Sequence, residues 1–122
     1  MFNVLFVDDE PLLLEAYRRM LRLSPFQCHT LVDSTQVIEF LAQQPIDIVV
    51  ADQLMPALTG GELLQQLVKK YPAIKRVLIS GNLNLVEPAA RVAANTLFFI
   101  ACSRQCSSLG AQLHQGRPVH TA

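Results

Sequence analysis

Short apolar segments alternate with amphipathic segments along most of this 122-residue chain. The apolar segments are nearly continuous, a pattern typical of strands that are buried on both faces of a parallel sheet. The amphipathic segments repeat their apolar residues at helical spacing. Because right-handed crossovers place such helices on both faces of the sheet, we predict an α/β fold with a doubly wound, five-stranded parallel sheet. One domain is expected to span residues 1–122.

The individual elements follow from these segments and from the residues that bound them. Strands are predicted at residues 3–7, 26–32, 46–51, 77–79 and 97–101. Helices are predicted at residues 11–24, 34–44, 63–71 and, with an interruption at Pro88, 82–95. Prolines, which disrupt helix interiors, follow the first three of these helices, at Pro25, Pro45 and Pro72. A last helix at residues 106–113 is disfavoured by Gly110, which costs about 1 kcal/mol relative to alanine.

Composition and charge exclude several classes of protein. Hydrophobic residues make up 51% of the chain and charged residues 16%, which excludes a disordered chain. Ten basic residues balance ten acidic ones, so we expect no direct binding to nucleic acid. Without a signal peptide or an apolar segment of roughly 18 residues, a cytoplasmic protein with no membrane segment is expected. The three cysteines form no CxxC pair and are predicted to be reduced thiols: Cys28, Cys102 and Cys106.

Acidic and hydroxyl side chains directly follow three of the predicted strands. Asp8 and Asp9 follow the first strand, Asp52 follows the third and Ser80 follows the fourth. In doubly wound sheets the ligand site lies outside the carboxyl ends of the strands, so we expect these side chains to lie close together. Each of them alone would be explained as a helix cap or a solvated turn residue. The combination predicts a functional site.

The predicted group of three carboxylates favours a divalent cation. Carboxylates that share one cleft repel one another, and this raises their pKa values unless a cation neutralises them. Oxygen ligands without a histidine or thiolate suit Mg²⁺, which also accepts phosphate oxygens. We therefore predict Mg²⁺-dependent phosphoryl chemistry, with Asp52 as the nucleophile and Asp8 and Asp9 as metal ligands. The Ser80 hydroxyl would bind a phosphoryl oxygen.

Three segments resemble the receiver domain of bacterial two-component response regulators. They are FVDDE, VVADQLMP and VLISG, at the ends of the first, third and fourth strands. The resemblance covers about residues 2–101. It implies a flavodoxin-like sheet with strand order 2-1-3-4-5 and helices on both faces. It also implies that Asp52 is the phospho-accepting aspartate, and that Mg²⁺ is held by Asp8, Asp9, Asp52 and the backbone carbonyl of Gln53.

Other positions of the resemblance concern the response to phosphorylation. Ser80 matches the switch hydroxyl that turns toward the phosphoryl group, and Phe99 matches the aromatic residue that moves inward with it. Leu54 and Asn82 occupy positions that in the family tune the lifetime of the acyl phosphate. These roles are implied by the resemblance alone.

The chain departs from the family pattern at the end of the fifth strand. Cys102 and Ser103 stand where the family places a lysine, usually followed by proline. A lysine there would bond to the phosphoryl group, which cysteine cannot do. Two interpretations remain open for the atypical segment from about residue 102. Either coupling between phosphorylation and conformation has been lost, or an ordinary ending has been altered.

The function predicted first is a response regulator receiver that accepts a phosphoryl group on Asp52 from a histidine kinase or phosphotransfer protein. The output partner is unknown, and we expect a switch that is not an enzyme. One alternative is a degenerate pseudo-receiver that acts as a phosphorylation-independent interaction or dimerisation module. A homodimer is a hypothesis because Pro88 and the weak last helix would leave apolar surface uncovered. The other alternative, a small Mg²⁺-dependent phosphohydrolase, lacks a general acid two residues after Asp52, where Leu54 stands.

Overall fold

The computed structural model describes residues 2–81, 88–94 and 96–99. Within these ranges, five strands form one sheet in the order β2-β1-β3-β4-β5, and every neighbouring pair is parallel. The strands are β1 (Phe2–Val7), β2 (Phe26–Leu31), β3 (Ile48–Asp52), β4 (Lys75–Ser80) and β5 (Thr96–Phe99). The predicted fold class and strand order are therefore confirmed. Two strands differ by two residues at their starts: β3 begins later than predicted, at Ile48, and β4 begins earlier, at Lys75, because Lys75 pairs with Ile48.

The helices connect consecutive strands, as the crossover argument predicts. They are α1 (Pro11–Met20), α2 (Val37–Gln43), α3 (Gly60–Lys70) and α4 (Pro88–Ala93), and a 3₁₀ turn at Ser34–Gln36 precedes α2. Helix α1 ends at Met20, before the predicted end at residue 24. In the turn that follows, the Ser24 hydroxyl donates a hydrogen bond to the Leu21 carbonyl at 2.6 Å. The helix predicted at 82–95 is described only as α4, which Pro88 begins and does not interrupt. The predicted helix at 106–113 lies outside the described residues.

Apolar side chains of the strands alternate between two clusters, one on each face of the sheet. Helix α1 covers one face, where the buried cluster includes Val4, Phe6, Leu14, Tyr17, Val50 and Ile79. The rings of Phe6 and Tyr17 stack there with centroids 4.4 Å apart. On the other face α2, α3 and α4 pack over a cluster that includes Leu5, Val37, Val49, Leu63, Leu78 and Ala90. Burial on both faces explains why the strand sequences are nearly continuously apolar.

The loop between β3 and α3 folds back tightly against the end of β3. A Cβ atom on Gly60 would lie within 2.3 Å of the carbonyl oxygen of Asp52, so only glycine permits this approach. The Ser34 hydroxyl donates to the Leu58 carbonyl at 2.8 Å and ties the loop to the start of the 3₁₀ turn. Within the described residues, no helix has the length and apolar character needed to span a membrane.

Ala57 in this loop has a φ of 67°, a left-handed conformation that side chains other than glycine rarely adopt. This conformation costs an L-residue about 1 to 2 kcal/mol. Replacement by glycine removes that cost, but the greater unfolded-state entropy of glycine offsets part of the gain. We therefore expect Ala57→Gly to raise the free energy of unfolding by about 0.5 to 1 kcal/mol in urea titrations. The control is Ala16→Gly within α1, which should lower it by about 1 kcal/mol. Destabilisation by both variants would contradict the assigned strain.

Candidate functional site

Three carboxylates lie together where β1 and β3 end. Asp8 and Asp9 follow β1 directly, and Asp52 is the last residue of β3. Because the two strands are adjacent and parallel, with Val7 opposite Ala51, their carboxyl ends reach the same height. One oxygen from each of Asp8, Asp9 and Asp52 lies within 4.8 Å of the others. The strand register thus brings the predicted acids into one cluster.

The three acids differ in burial and in hydrogen bonding. Asp8 is only 4% exposed, and its Oδ1 accepts a hydrogen bond from the Glu10 backbone N–H at 3.0 Å. Asp52 is half-buried, and the backbone N–H groups of Leu54 and Gln53 lie near its carboxylate and favour the ionised form. Asp9 is exposed. The cluster is therefore closed toward the sheet and open toward solvent at Asp9.

Burial, with a smaller contribution from neighbouring charges, makes Asp8 and Asp52 hard to ionise. Burial raises the pKa of Asp8 from 3.8 to about 7, against the hydrogen bond from Glu10, and the charges of Asp52 and Asp9 raise it further. Burial raises the pKa of Asp52 from 3.8 to about 6, with repulsion from Asp9 next in size. The backbone N–H groups around Asp52 oppose this second shift. A cation within the cluster would favour the ionised form of both groups.

The cluster suits a hard divalent cation. Its donors are carboxylate oxygens, and the group contains neither histidine nor cysteine. Mg²⁺ prefers such ligands and keeps several waters, for which the exposed side at Asp9 leaves room. The chemistry of the donors therefore fits the predicted Mg²⁺ site.

Ser80 and Phe99 are the last residues of β4 and β5, the two strands that follow β3 across the sheet. Asp52 pairs with Ile79, so Ser80 at the end of β4 extends one residue beyond Asp52. The Ser80 side chain is 2% exposed. Phe99 is the last residue of β5 and pairs with Ser80 through the backbone. Register therefore places both predicted switch residues at the edge of the sheet that carries the acids. The positions of Asn82, Cys102 and Ser103 lie outside the described residues.

Gln53 makes contacts different from those expected of it. Its carbonyl oxygen accepts hydrogen bonds from the backbone N–H groups of Met55 and Gly60, both at 3.2 Å. These bonds occupy the lone pairs of the carbonyl, so coordination of a metal there would require one of them to break. The structure does not test the ligand role predicted for the Gln53 carbonyl, which stays a prediction. Its side chain, which we did not single out from the sequence, is buried and accepts from Gly61 N–H at 2.8 Å.

Leu54 is one of the exposed residues of this loop. It directly follows Gln53 and is 63% exposed, although it is a large apolar side chain. Two residues after Asp52, a leucine supplies no proton donor.

Comparison with known proteins identifies the family. Residues 4–101 match the family model described as response regulator receiver domain. The hydrogenase transcriptional regulatory protein HoxA of Cupriavidus necator is 38% identical over 79 residues, which are 65% of this chain and 16% of that protein. The transcriptional regulatory protein MalR of Bacillus subtilis is 32% identical over 98 residues, 77% of this chain and 42% of that protein. The chain thus spans less than half the length of both relatives.

Solved structures show the same fold. The response regulator protein TrrA of Thermotoga maritima, in complex with Mg²⁺-BeF, superposes with a TM-score of 0.79 at 22% identity. The superposition covers 94% of this chain and 98% of that one. A response regulator receiver domain of Methylobacillus flagellatus gives a TM-score of 0.77 at 22% identity and covers 96% of this chain and 99% of its own. With residues 4–101 matching the family model, this chain belongs to the response regulator receiver domain family of two-component signalling.

Proposed function

We propose that this chain accepts a phosphoryl group on Asp52, in the presence of Mg²⁺, from a histidine kinase or phosphotransfer protein. The observation that carries the proposal is the cluster of Asp8, Asp9 and Asp52 at the carboxyl ends of β1 and β3. Membership of the receiver domain family supports the same reaction.

In the proposed reaction a carboxylate oxygen of Asp52 attacks the phosphorus atom of the donor. The bond from phosphorus to the donor breaks, the donor keeps the electron pair, and an acyl phosphate forms on Asp52. Asp8 and Asp9, together with Asp52, would hold Mg²⁺, which neutralises the carboxylates and binds phosphoryl oxygens when present. The Ser80 hydroxyl would donate a hydrogen bond to a phosphoryl oxygen, and Phe99 would respond as its neighbour in β5.

The proposed role is that of a switch and not of an enzyme. Phosphorylation adds negative charge to a site that already holds three carboxylates, so it would favour a different packing of the surrounding elements. An output partner, not identified by the sequence, would read that difference. A cytoplasmic location and a homodimer remain predictions.

A second candidate is a pseudo-receiver that binds partners or dimerises without phosphorylation. The observation that favours it is in the sequence: Cys102 and Ser103 replace the lysine and proline that the family places after the fifth strand. Without a lysine there, the phosphoryl group would lose one charge-assisted hydrogen bond. Whether Asp52 is phosphorylated therefore distinguishes the two candidates.

Incubation with acetyl phosphate and Mg²⁺ should add one labile phosphoryl group, detected as intact-protein mass. The Asp52→Asn variant should give no adduct, because an amide is a poor nucleophile, and removal of Mg²⁺ should abolish the adduct in the unaltered protein. The control is Asp47→Asn, since Asp47 is an exposed acid just before β3 and should not affect the yield. If the unaltered protein gave no adduct even with a cognate kinase and rapid quenching, the pseudo-receiver would be the better description.

The raised pKa values predict how stability depends on pH. The folded-state pKa values of about 7 for Asp8 and about 6 for Asp52 exceed the ordinary value of 3.8. Between these limits the folded protein binds more protons than the unfolded chain. The free energy of unfolding of the metal-free protein should therefore fall by several kcal/mol as pH rises from about 4 to about 7. Urea unfolding at a series of pH values in a chelator measures this decline.

Two controls isolate the contribution of the acid cluster to that decline. Asp8→Asn removes the most shifted group, so the decline should become shallower than in the unaltered protein. Saturating Mg²⁺ should stabilise the unaltered protein most at the upper end of the pH range, where the carboxylates are ionised. A free energy of unfolding that rises with pH equally in both proteins would show that the pKa values of Asp8 and Asp52 are not raised in the folded protein.

A further inference from the structure

Gln53 satisfies the first two backbone N–H groups of α3. The first N–H groups of any helix have no acceptor within the helix. Here the Gly60 N–H donates to the Gln53 carbonyl at 3.2 Å, and the Gly61 N–H donates to Gln53 Oε1 at 2.8 Å. The next N–H group is capped by the Thr59 hydroxyl. Gln53 directly follows Asp52, so the proposed phospho-acceptor and the start of α3 are joined through one residue.

The Gln53 side chain also lies where α3 meets α4. A Cβ atom on Gly61 would lie 2.6 Å from the Cβ of Ala90 in α4 and 3.0 Å from Gln53 Oε1. Ala90 is 1% exposed and Gln53 is 7% exposed. We call these three residues, Gln53, Gly61 and Ala90, the α3–α4 seam. Its close contacts leave little room for Gln53 to move without displacing Gly61, and little room for Gly61 to move without displacing Ala90.

The other end of Gln53 is attached to the acid cluster. Its backbone N–H lies close enough to the Asp52 carboxylate to favour the ionised form, and it donates to the Ile79 carbonyl at 2.9 Å. Conversion of that carboxylate to an acyl phosphate would change its shape and its charge. The change would therefore reach Gln53 through the covalent bond and through the electrostatic field at its backbone N–H.

We propose that Gln53 is a positioning residue that couples the chemical state of Asp52 to the packing of α3 against α4. Phosphorylation of Asp52 shifts the backbone of Gln53, and the side-chain bond to Gly61 N–H transmits the shift to Ala90. The inference rests on the proposed function, because it requires Asp52 to change state. It goes beyond that function in assigning the residue and the interhelical contact that respond.

Nitrogen-15 amide spectra of the full chain can test the coupling, with Mg²⁺ and beryllofluoride as the phosphoryl mimic. Gln53→Met has a similar side-chain length but cannot accept a hydrogen bond from Gly61 N–H. Fluorine spectra report occupancy at Asp52, and the proteins are compared at equal occupancy. The matched control is Gln65→Met, because Gln65 lies on α3 and lines the same groove, of about 340 Å³, as Gln53.

In the unaltered protein the amide signals of Gly61 and Ala90 should change when the adduct forms. In Gln53→Met these changes should fall by at least about half, as expected when a linking contact is removed. Gln65→Met should respond like the unaltered protein. Gln53→Glu, whose carboxylate can still accept from Gly61 N–H, should retain the response, which a role limited to packing volume would not explain.

The outcomes separate this inference from the proposed function. If beryllofluoride formed no adduct on the unaltered protein, both would be overturned. If the adduct formed and Gly61 and Ala90 changed equally in Gln53→Met, only the coupling through Gln53 would be overturned. If Gln53→Met failed to fold, the unaltered protein and Gln53→Glu would decide, because an adduct without changes at Gly61 and Ala90 in either protein contradicts the coupling.

Discussion

The burial of carboxylates within one acidic cluster is the constraint on which the rest of this structure depends. The register of β1 and β3 holds one carboxylate oxygen from each of Asp8, Asp9 and Asp52 within 4.8 Å of the others, and Asp8 is almost fully buried. An arrangement that raises the pKa of Asp8 to about 7 makes the folded state less stable at neutral pH. A functional site would explain why this loss of stability is retained, since a bound cation would attract the carboxylates and favour their ionised forms.

The elements around the acids hold the cluster in place and connect it to the helices. Gly60 allows α3 to start against the carbonyl of Asp52, and Gln53 caps the first two N–H groups of that helix. The Gln53 side chain also lies beside Gly61, where α3 packs against Ala90 of α4. The acid that is proposed to react is thus connected to two helices through its immediate neighbour in sequence.

Much of the fold could be predicted from the sequence because its signals are local. Continuous apolar segments mark strands that are buried on both faces, and acids directly after β1 and β3 must lie at one edge of a parallel sheet. The apolar pattern predicts that α3 begins at residue 63, three residues after its observed start at Gly60. Thr59 and Glu62 have the spacing of a capping box and form one. The left-handed φ of Ala57 and the buried contact of Gln53 with Gly61 depend on tertiary packing, so no local pattern reveals them. Cys102, Ser103 and the predicted last helix lie outside the described residues.

Calorimetric titration with Mg²⁺ tests most directly whether the acid cluster is a cation site. At about pH 6.5, a pKa of about 7 leaves Asp8 mostly protonated in the metal-free protein, and Asp52, with a pKa of about 6, retains part of its proton. Binding must then displace protons, so the measured heat should depend on the ionisation enthalpy of the buffer. We expect net proton release that decreases in Asp8→Asn. Mg²⁺ binding without proton release, or no binding at all, would contradict the assignment of Asp8, Asp9 and Asp52 as the site.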